Sequence, residues 1–281
     1  MSAFAIRTVY ADLDGTLLGP GGSLFAASRP PGVTSEAALA VAALEGAGID
    51  LVLVSGRTLE QTREAARIVG ARAFIAEAGG IVVFLQSGGE EALPADGVRR
   101  GKESAFEAIL RTGAAGFLLE SFAGRLEPHG PGAFLPHEAS LLLRGRVDMT
   151  EARSLLQDNG YGWLTLSDNG ILSAGSERFP WLDSAEVHAY HLHPAPVTKR
   201  AAVAVHRTRR GLEPDECIAV GDSPSDLDMA TEVAAVFVVA NGAAALRDVE
   251  PPENAYLLDR SHGEGFADAV LPFAERGAGR A

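Results

Sequence analysis

The chain has 281 residues, 47% of them hydrophobic, so it can bury one large core or two ordinary ones and is too apolar for overall disorder. Its net charge of −13 argues against a general binder of nucleic acid, which needs a basic surface. The single cysteine, Cys217, excludes an internal disulfide framework and a cysteine-rich zinc site.

The first residues, Met1–Arg7, lack the apolar core of a secretory signal. Runs such as Leu51–Val54 and Ala234–Ala240 are far too short to span a bilayer. A soluble cytoplasmic protein with no membrane partner is expected; its oligomeric state cannot be read from one sequence.

In chain order, Val9–Ala11 predicts a buried strand and Gly15–Gly32 a long glycine- and proline-rich turn, either a flap or a plain loop. Ser35–Ala47 predicts an alanine-rich helix closed by Gly48, Asp50–Val54 a strand, Leu59–Val69 a helix and Ala73–Ala76 a strand. From Gln86 to Glu186 the pattern is less regular. There Leu141–Arg144, Trp163–Ser167 and Ile171–Ser173 read as separate strands, the last two joined by a hairpin turn at Ser167–Gly170. Pro128–Pro136 reads as a glycine- and proline-rich stretch, and Met149–Gln157 as a helix capped by Asp148 or Thr150. Alternation then resumes with helix Lys199–Arg209, strand Cys217–Val220, short helix Asp226–Glu232 and a last strand Ala235–Val239, before a frayed tail at Arg276–Ala281. Strands alternating with such helices predict an α/β fold: a Rossmann-like, three-layer core around a parallel sheet, with an inserted α/β module. The core is expected at 1–85 and 187–281, and the insert at 86–186.

Chemistry-bearing residues cluster at strand ends. The first strand runs into Asp12-Leu13-Asp14-Gly15-Thr16, where Asp12 and Asp14, two residues apart in extended chain, start on one side. Two carboxylates that close call for a cation, a shared proton or strong donors, although aspartate and glycine also make ordinary turns. The second strand ends in Ser55-Gly56-Arg57-Thr58 before a helix, either an anion site built on free N–H groups or ordinary capping by Ser55 or Thr58. Lys199 opens a helix, where a lone lysine is ordinarily a solvated charge. A later strand ends in Gly221-Asp222-Ser223-Pro224-Ser225-Asp226, in which both aspartates also suit helix caps. One parallel sheet would bring all these ends to the same edge, where open α/β folds bind ligands. Such a set offers carboxylates for Mg²⁺, donors for a phosphate and a carboxylate nucleophile.

In order and spacing, Asp12–Thr16, Ser55–Arg57, Lys199 and Gly221–Asp226 resemble the four motifs of the haloacid dehalogenase superfamily of phosphatases. The position of the insert is similar to the cap of the Cof-type, sucrose-phosphatase and mannosyl-3-phosphoglycerate phosphatase branch. The resemblance implies a Mg²⁺-dependent phosphomonoester hydrolase acting on a small phosphorylated metabolite, of the sugar phosphate, phosphoglycolate or glycosyl-phosphoglycerate class. It implies Asp12 as the nucleophile that becomes an aspartyl-phosphate, and Asp14 as general acid and then general base. It implies Mg²⁺ held by Asp12, the Asp14 backbone carbonyl and Asp222, with Asp226 bound directly, through water or as their support. Ser55, Gly56, Arg57 and Lys199 would bind the phosphoryl group, Lys199 also neutralising charge, while Thr16 secures the loop. The alternatives are a phosphomutase of the same fold and a metabolite-binding relative without turnover.

The chain departs from the motif pattern at Ser225, where relatives usually carry asparagine, at Glu77-Ala78-Gly79, which lacks a common asparagine, and at Arg200 after the lysine. Outside the motifs, His188, His191 and His193 read as non-ligand histidines; His191 and His193 fall on one face of a strand, and the other reading for either is as lining of a substrate mouth. Arg144 and Arg146 read either as solvated or as partners for a second anionic group of the substrate.

Overall fold

A computed structural model of the protein describes residues 5–29, 32–86, 88–130, 133, 137–173, 179, 181–184, 186–244, 246–247 and 249–278. The chain forms two compact units, Met1–Leu93 with Lys199–Ala281, and Pro94–Thr198.

The first unit begins with β1 (Thr8–Asp12), α1 (Glu36–Gly46), β2 (Asp50–Val54), α2 (Leu59–Val69), β3 (Ala73–Ala76), β4 (Ile81–Gln86) and β5 (Gly89–Pro94). The second unit then contributes β6 (Arg99–Arg100), β7 (Glu103–Ser104), α3 (Ala105–Thr112), α4 (Ala114–Ser121), β8 (Leu126–Pro128), β9 (Leu141–Gly145), α5 (Met149–Asp158), β10 (Leu164–Ser173) and β11 (Val187–Pro194). The chain returns with α6 (Lys199–Arg210), β12 (Cys217–Gly221), α7 (Pro224–Leu227), β13 (Ala235–Val238), β14 (Ala255–Leu257) and α8 (His262–Ala278).

The first unit's sheet runs β14-β13-β12-β1-β2-β3-β4-β5. It is parallel from β14 to β3, and β4 runs antiparallel to β3, so the sheet is mixed rather than purely parallel. The tight turn at Glu77–Gly80 reverses the chain there, too short for the helical crossover that a parallel neighbour requires. Strand alternation sorts the two faces. Val9, Ala11 and Leu13 enter an apolar layer with Ala37, Ala40 and Leu44 of α1 and Phe266 and Val270 of α8. Tyr10 points to the other layer, with Ala202 and Val203 of α6 and with Leu227 and Met229. Each buried Val, Leu, Phe or Met among them contributes roughly 1.5–3 kcal/mol. The even residues of β1 therefore face α6, and Asp12 is the next of them.

The second unit is an antiparallel sheet, β10-β11-β9-β8, with Leu141, Leu143, Leu166, Tyr190 and Leu192 packed against Phe106, Leu118 and Leu156 of its helices. Its boundaries differ from the sequence expectation of 86–186. Residues 187–194, expected in the core, form its central strand β11, which pairs with both β10 and β9. Residues 86–93 belong instead with the first unit, as the end of β4 and most of β5.

The expected hairpin at Ser167–Gly170 is also absent. β10 runs straight through these residues and absorbs them as register shifts after Asp168 and Ile171. Gly170 sits at φ +96°, its N–H held by Asp168 Oδ1 at 2.8 Å, so the turn chemistry makes an irregular strand instead of a reversal. The helix over 149–157 is capped by Asp148, which accepts from the N–H groups of Thr150 and Glu151. Of the glycine- and proline-rich run 128–136, residues 131–132 and 134–136 lie outside the described residues, as do 1–4 and the tail end 279–281; α8 itself extends to Ala278.

Candidate active site

Parallel pairing of β12, β1 and β2 aligns their carboxyl ends, so the segments starting at Asp222, Asp12 and Ser55 meet at one edge. Lys199 stands at the first position of α6, where the helix dipole disfavours a cation, so its seat must come from carboxylates. Its Nζ donates to Asp12 Oδ1 at 2.9 Å and to Asp226 Oδ1 at 2.8 Å, and all three residues are buried. Asp226 Oδ2 accepts from Ser223 Oγ at 2.6 Å, Ser223 N at 3.0 Å and Asp222 N at 3.1 Å. Asp226 is thus held by four donors without the usual asparagine at position 225, and Ser225 Oγ instead meets Ser223 Oγ at 2.9 Å. Gly221 makes room for this arrangement, since a Cβ there would lie 2.2 Å from Asp226 Cγ.

The electrostatics of the group are unbalanced. Asp12, Asp222 and Asp226 bring ligand atoms within 4.8 Å of one another, and among the described residues the Lys199 ammonium is the one cation that ion-pairs directly with them. Burial pushes Asp12 up to about 7, with Lys199 opposing and Asp226 adding to the rise. Burial, then Asp12 and Asp226, carry Asp222 well above the ordinary carboxylate range. Burial works against the charge of Lys199, but Asp12 and Asp226 outweigh it and raise its pKa. Lysine is therefore the settled cation, and the surplus of negative charge falls on Asp12 and Asp222. Neither Asp12 Oδ2 nor Asp222 Oδ1 accepts a hydrogen bond among the described residues. A surplus of clustered carboxylate oxygens fits a hard, oxygen-seeking cation such as Mg²⁺.

Asp14 is far more exposed than Asp12. The strand ends at Asp12, Leu13 turns into the core, and Asp14 lies in the following turn with its side chain 52% exposed. Arg57 grips it in a bidentate pair, Nε to Oδ2 and NH2 to Oδ1, both at 2.6 Å. Sequence reasoning assigned Arg57 to the phosphoryl group; in this structure the guanidinium belongs to Asp14.

Ser55 is buried and its Oγ accepts from Arg57 N at 3.1 Å, whereas Thr58 caps α2 in a reciprocal box with Gln61. The capping role therefore falls to Thr58, and Ser55 and Gly56 remain in the turn at the sheet edge. Beside them Glu77 and Ala78 hold φ of +51° and +57°, with Glu77 N bonded to Arg57 O and Ala78 N to Ser55 O. Such strained backbone costs on the order of 1–3 kcal/mol per residue and clusters at functional sites.

Two participants went unseen in the sequence. Asn241, just past β13, donates from Nδ2 to Gly15 O at 2.9 Å and to Asp222 Oδ2 at 3.0 Å. His262, at the start of α8, meets Gly15 O through Nδ1 at 3.0 Å and donates its backbone N–H to Asn241 Oδ1 at 3.0 Å. The one available signal was that Asn241-Gly242 follows the next strand of the same sheet.

The other sequence candidates have partners of their own. Ser28, within the expected flap, donates to Ser261 O at 2.8 Å, and short bridges fold the segment on itself; residues 30–31 lie outside the described residues. His191 and His193 share a face of β11 and pair with Ser140 and Ser167, whereas His188 sits an odd step away against Asp168 and Tyr190. Arg144 pairs with Glu127 and covers the Phe179 ring, and Arg146 pairs with Glu186.

The fold has close counterparts among solved structures. A haloacid dehalogenase-like hydrolase from Bacteroides thetaiotaomicron superposes with a TM-score of 0.61 at 16% identity, over 95% of this chain and 99% of that one. The chain has the haloacid dehalogenase fold. The same fold is shared with the sucrose-phosphatase of Synechocystis, at TM-score 0.60 and 16% identity over 95% of this chain and 98% of that one. The likeness drawn from the four motifs thus holds. In sequence the chain is 26% identical over 268 residues to the phosphoglycolate phosphatase of Methanoculleus marisnigri, covering 95% of this chain and 97% of the relative. It is 27% identical over 272 residues to the phosphoglycolate phosphatase of Archaeoglobus fulgidus, covering 95% and 96%. No family model matches the chain. No helix among the described residues is long and apolar enough to cross a membrane.

Proposed function

We propose that this haloacid dehalogenase-fold protein is a phosphatase that hydrolyses a small phosphomonoester through an aspartyl-phosphate on Asp12, with Mg²⁺ as cofactor. The observation that carries the reading is the buried Asp12, ion-paired to Lys199 within a group of carboxylates that exceeds its cations. Asp12, Asp222 and the Asp14 backbone carbonyl would hold the ion. Asp226, its oxygens already engaged by four donors, would support Asp222 and Lys199. Bound there, Mg²⁺ would neutralise charge between an anionic nucleophile and an anionic ester.

In the first half-reaction an Asp12 oxygen bonds to phosphorus while the bond from phosphorus to the ester oxygen breaks. Asp14 gives that oxygen a proton, so that an alcohol leaves rather than an alkoxide, a contribution of about 10²–10⁴-fold. In the second half a water attacks phosphorus, Asp14 takes its proton, and the Asp12 carboxylate and inorganic phosphate are released. Asp14 must let go of Arg57 to reach the leaving oxygen, because the bidentate pair occupies both of its carboxylate oxygens. Lys199 orients Asp12 and offsets charge on the phosphoryl oxygens, and Ser55 with Gly56 supplies donors from the end of β2. The second unit is proposed as the specificity cap.

Phosphoglycolate is the first ester to assay, because the curated relatives named above carry that activity in their names. The test measures phosphate release from phosphoglycolate, sugar phosphates and glycosyl-phosphoglycerates, with Mg²⁺ and with chelator, beside Asp12→Asn. Mg²⁺-dependent release that disappears in the variant supports the reading. Isomerised product without net phosphate would turn it to a phosphomutase, and ester binding without either product to a metabolite-binding protein.

A further inference from the structure

We infer that Asn241 and His262 are positioning residues that strap the catalytic turn to Asp222 and set the oxygen geometry of the Mg²⁺ site; this rests on the function proposed above. The Nδ2 amide of Asn241 has two protons, and both are used across the site, one on Gly15 O of the turn after β1 and one on Asp222 Oδ2 after β12. A single side chain from the end of a third strand thereby fixes the spacing between the two segments that carry the proposed ligands.

The turn itself is clamped at both ends of Gly15. Its N–H donates to Leu18 O at 2.8 Å, and its carbonyl accepts from Asn241 and from His262. Because the peptide unit is planar and trans, fixing the direction of the Gly15 N–H fixes the Asp14 carbonyl on the opposite side. That carbonyl is the backbone oxygen proposed for the metal. Closeness is essential here: a Cβ on Gly15 would lie 2.1 Å from Asp222 Oδ2, and one on Gly242 would lie 2.5 Å from Asp222 O.

His262 completes the strap at a conformational cost. Its φ is +53°, a region that side chains other than glycine's rarely adopt. In that pose its backbone N–H reaches Asn241 Oδ1 and so decides which way the amide faces. A carbonyl can only accept, so the bond to Gly15 O requires the proton on Nδ1 of the ring. Strain retained where its product is an oriented amide and an oriented carbonyl points to a functional reason for the histidine.

The test compares Asn241→Ala and His262→Gly with the wild type in Mg²⁺ titration calorimetry without substrate, in thermal unfolding without Mg²⁺, and in kcat and KM for the best ester. Outer partners of metal ligands typically govern affinity by about 10–100-fold. Asn241→Ala is expected to weaken Mg²⁺ by about that factor and to lower kcat more than it raises KM. His262→Gly, which relieves the positive φ, is expected to keep or raise the unfolding temperature while still weakening Mg²⁺. Wild-type Mg²⁺ affinity in either folded variant overturns the strap, as does a loss in His262→Gly that merely tracks a fall in stability. If Asn241→Ala does not fold, His262→Gly decides alone. Failure of the wild type to bind Mg²⁺ would instead overturn the proposed function, and the strap with it.

Discussion

Two clusters of ionisable side chains, one in each unit, are built on opposite principles. In the second unit, His188 lies against Asp168 and Glu186, with Arg146 beside it; Arg146 is exposed and Glu186 partly so. Charges there meet partners of opposite sign, and water reaches what remains. At the edge of the first unit's sheet, three carboxylates share one lysine, and Asp12, Asp226 and Lys199 are almost wholly buried. A fold gains nothing from such a surplus, since replacing buried ion pairs by apolar groups is often neutral or stabilising. Balance suits a structural cluster, and imbalance suits the proposed role, in which a cation and an anionic ester would join the group.

The sharpest way to break this contrast is at the nucleophile. Asp12→Asn is expected to lower turnover on the order of 10³-fold or more while raising the unfolding temperature of the metal-free protein near pH 8, because it deletes one of three crowded negative charges. The sign follows from the raised value. With the folded carboxyl near 7 against an ordinary 3.8, stability is fully present below 3.8 and lost as pH rises through 7. Phosphate release and calorimetry on one preparation check both halves, and unchanged turnover would remove Asp12 as nucleophile.

Lys199→Met leaves the carboxylates with no cation at all. A loss of about 3–5 kcal/mol in denaturant unfolding is expected, the range for breaking a buried pair on one side. A variant as stable as the wild type would mean that the lysine is not the settled charge. For the intact protein, Mg²⁺ at a hundredfold excess over its Kd should add about 2.7 kcal/mol of stability, read as a rise in unfolding temperature that Ca²⁺-free chelator reverses. No rise would remove the cation from the picture. The smallest effect belongs to the balanced cluster. Asp168→Asn should cost no more than about 1 kcal/mol. Burial lowers the pKa of His188, but its bonds to Asp168 and Glu186 outweigh that and raise it above 6.5. Its contribution is therefore full below 6.5 and lost as pH rises through the folded value, and the variant should flatten that slope in pH-dependent unfolding.

What the sequence disclosed was the residues whose chemistry is local. Asp12, Ser55 and Asp222 each stand where an apolar run stops, with Asp226 four residues further on, and parallel pairing brings such ends together, so the sheet edge was legible before any coordinates. Lys199 was legible only through its resemblance to a motif, because a lysine at a helix start ordinarily faces water. The pairing of Arg57 with Asp14 depends on how two turns from different strands close on each other, which no spacing encodes. Asn241 and His262 act through single amide and imidazole groups set by long-range packing, and their neighbours resemble any strand end and helix start. In the second unit, Asp168-Asn169-Gly170 carries the chemistry of a turn, but pairing with the long β11 held the chain extended, and tertiary structure overrode the local signal.

The place of β1 in the sheet has a consequence in time. It is flanked on one side by β2, made soon after it, and on the other by β12, where Thr8 pairs with Cys217. During synthesis Asp12, the proposed nucleophile, is made long before Lys199, with which it pairs, and before Asp226, which braces that lysine. Pairing across such a separation is slow, and a growing chain tends to fold from its first domain onward. The nascent chain therefore carries an Asp12 without its buried partners until the later strands pair beside the first, and the proposed activity has to wait for that pairing.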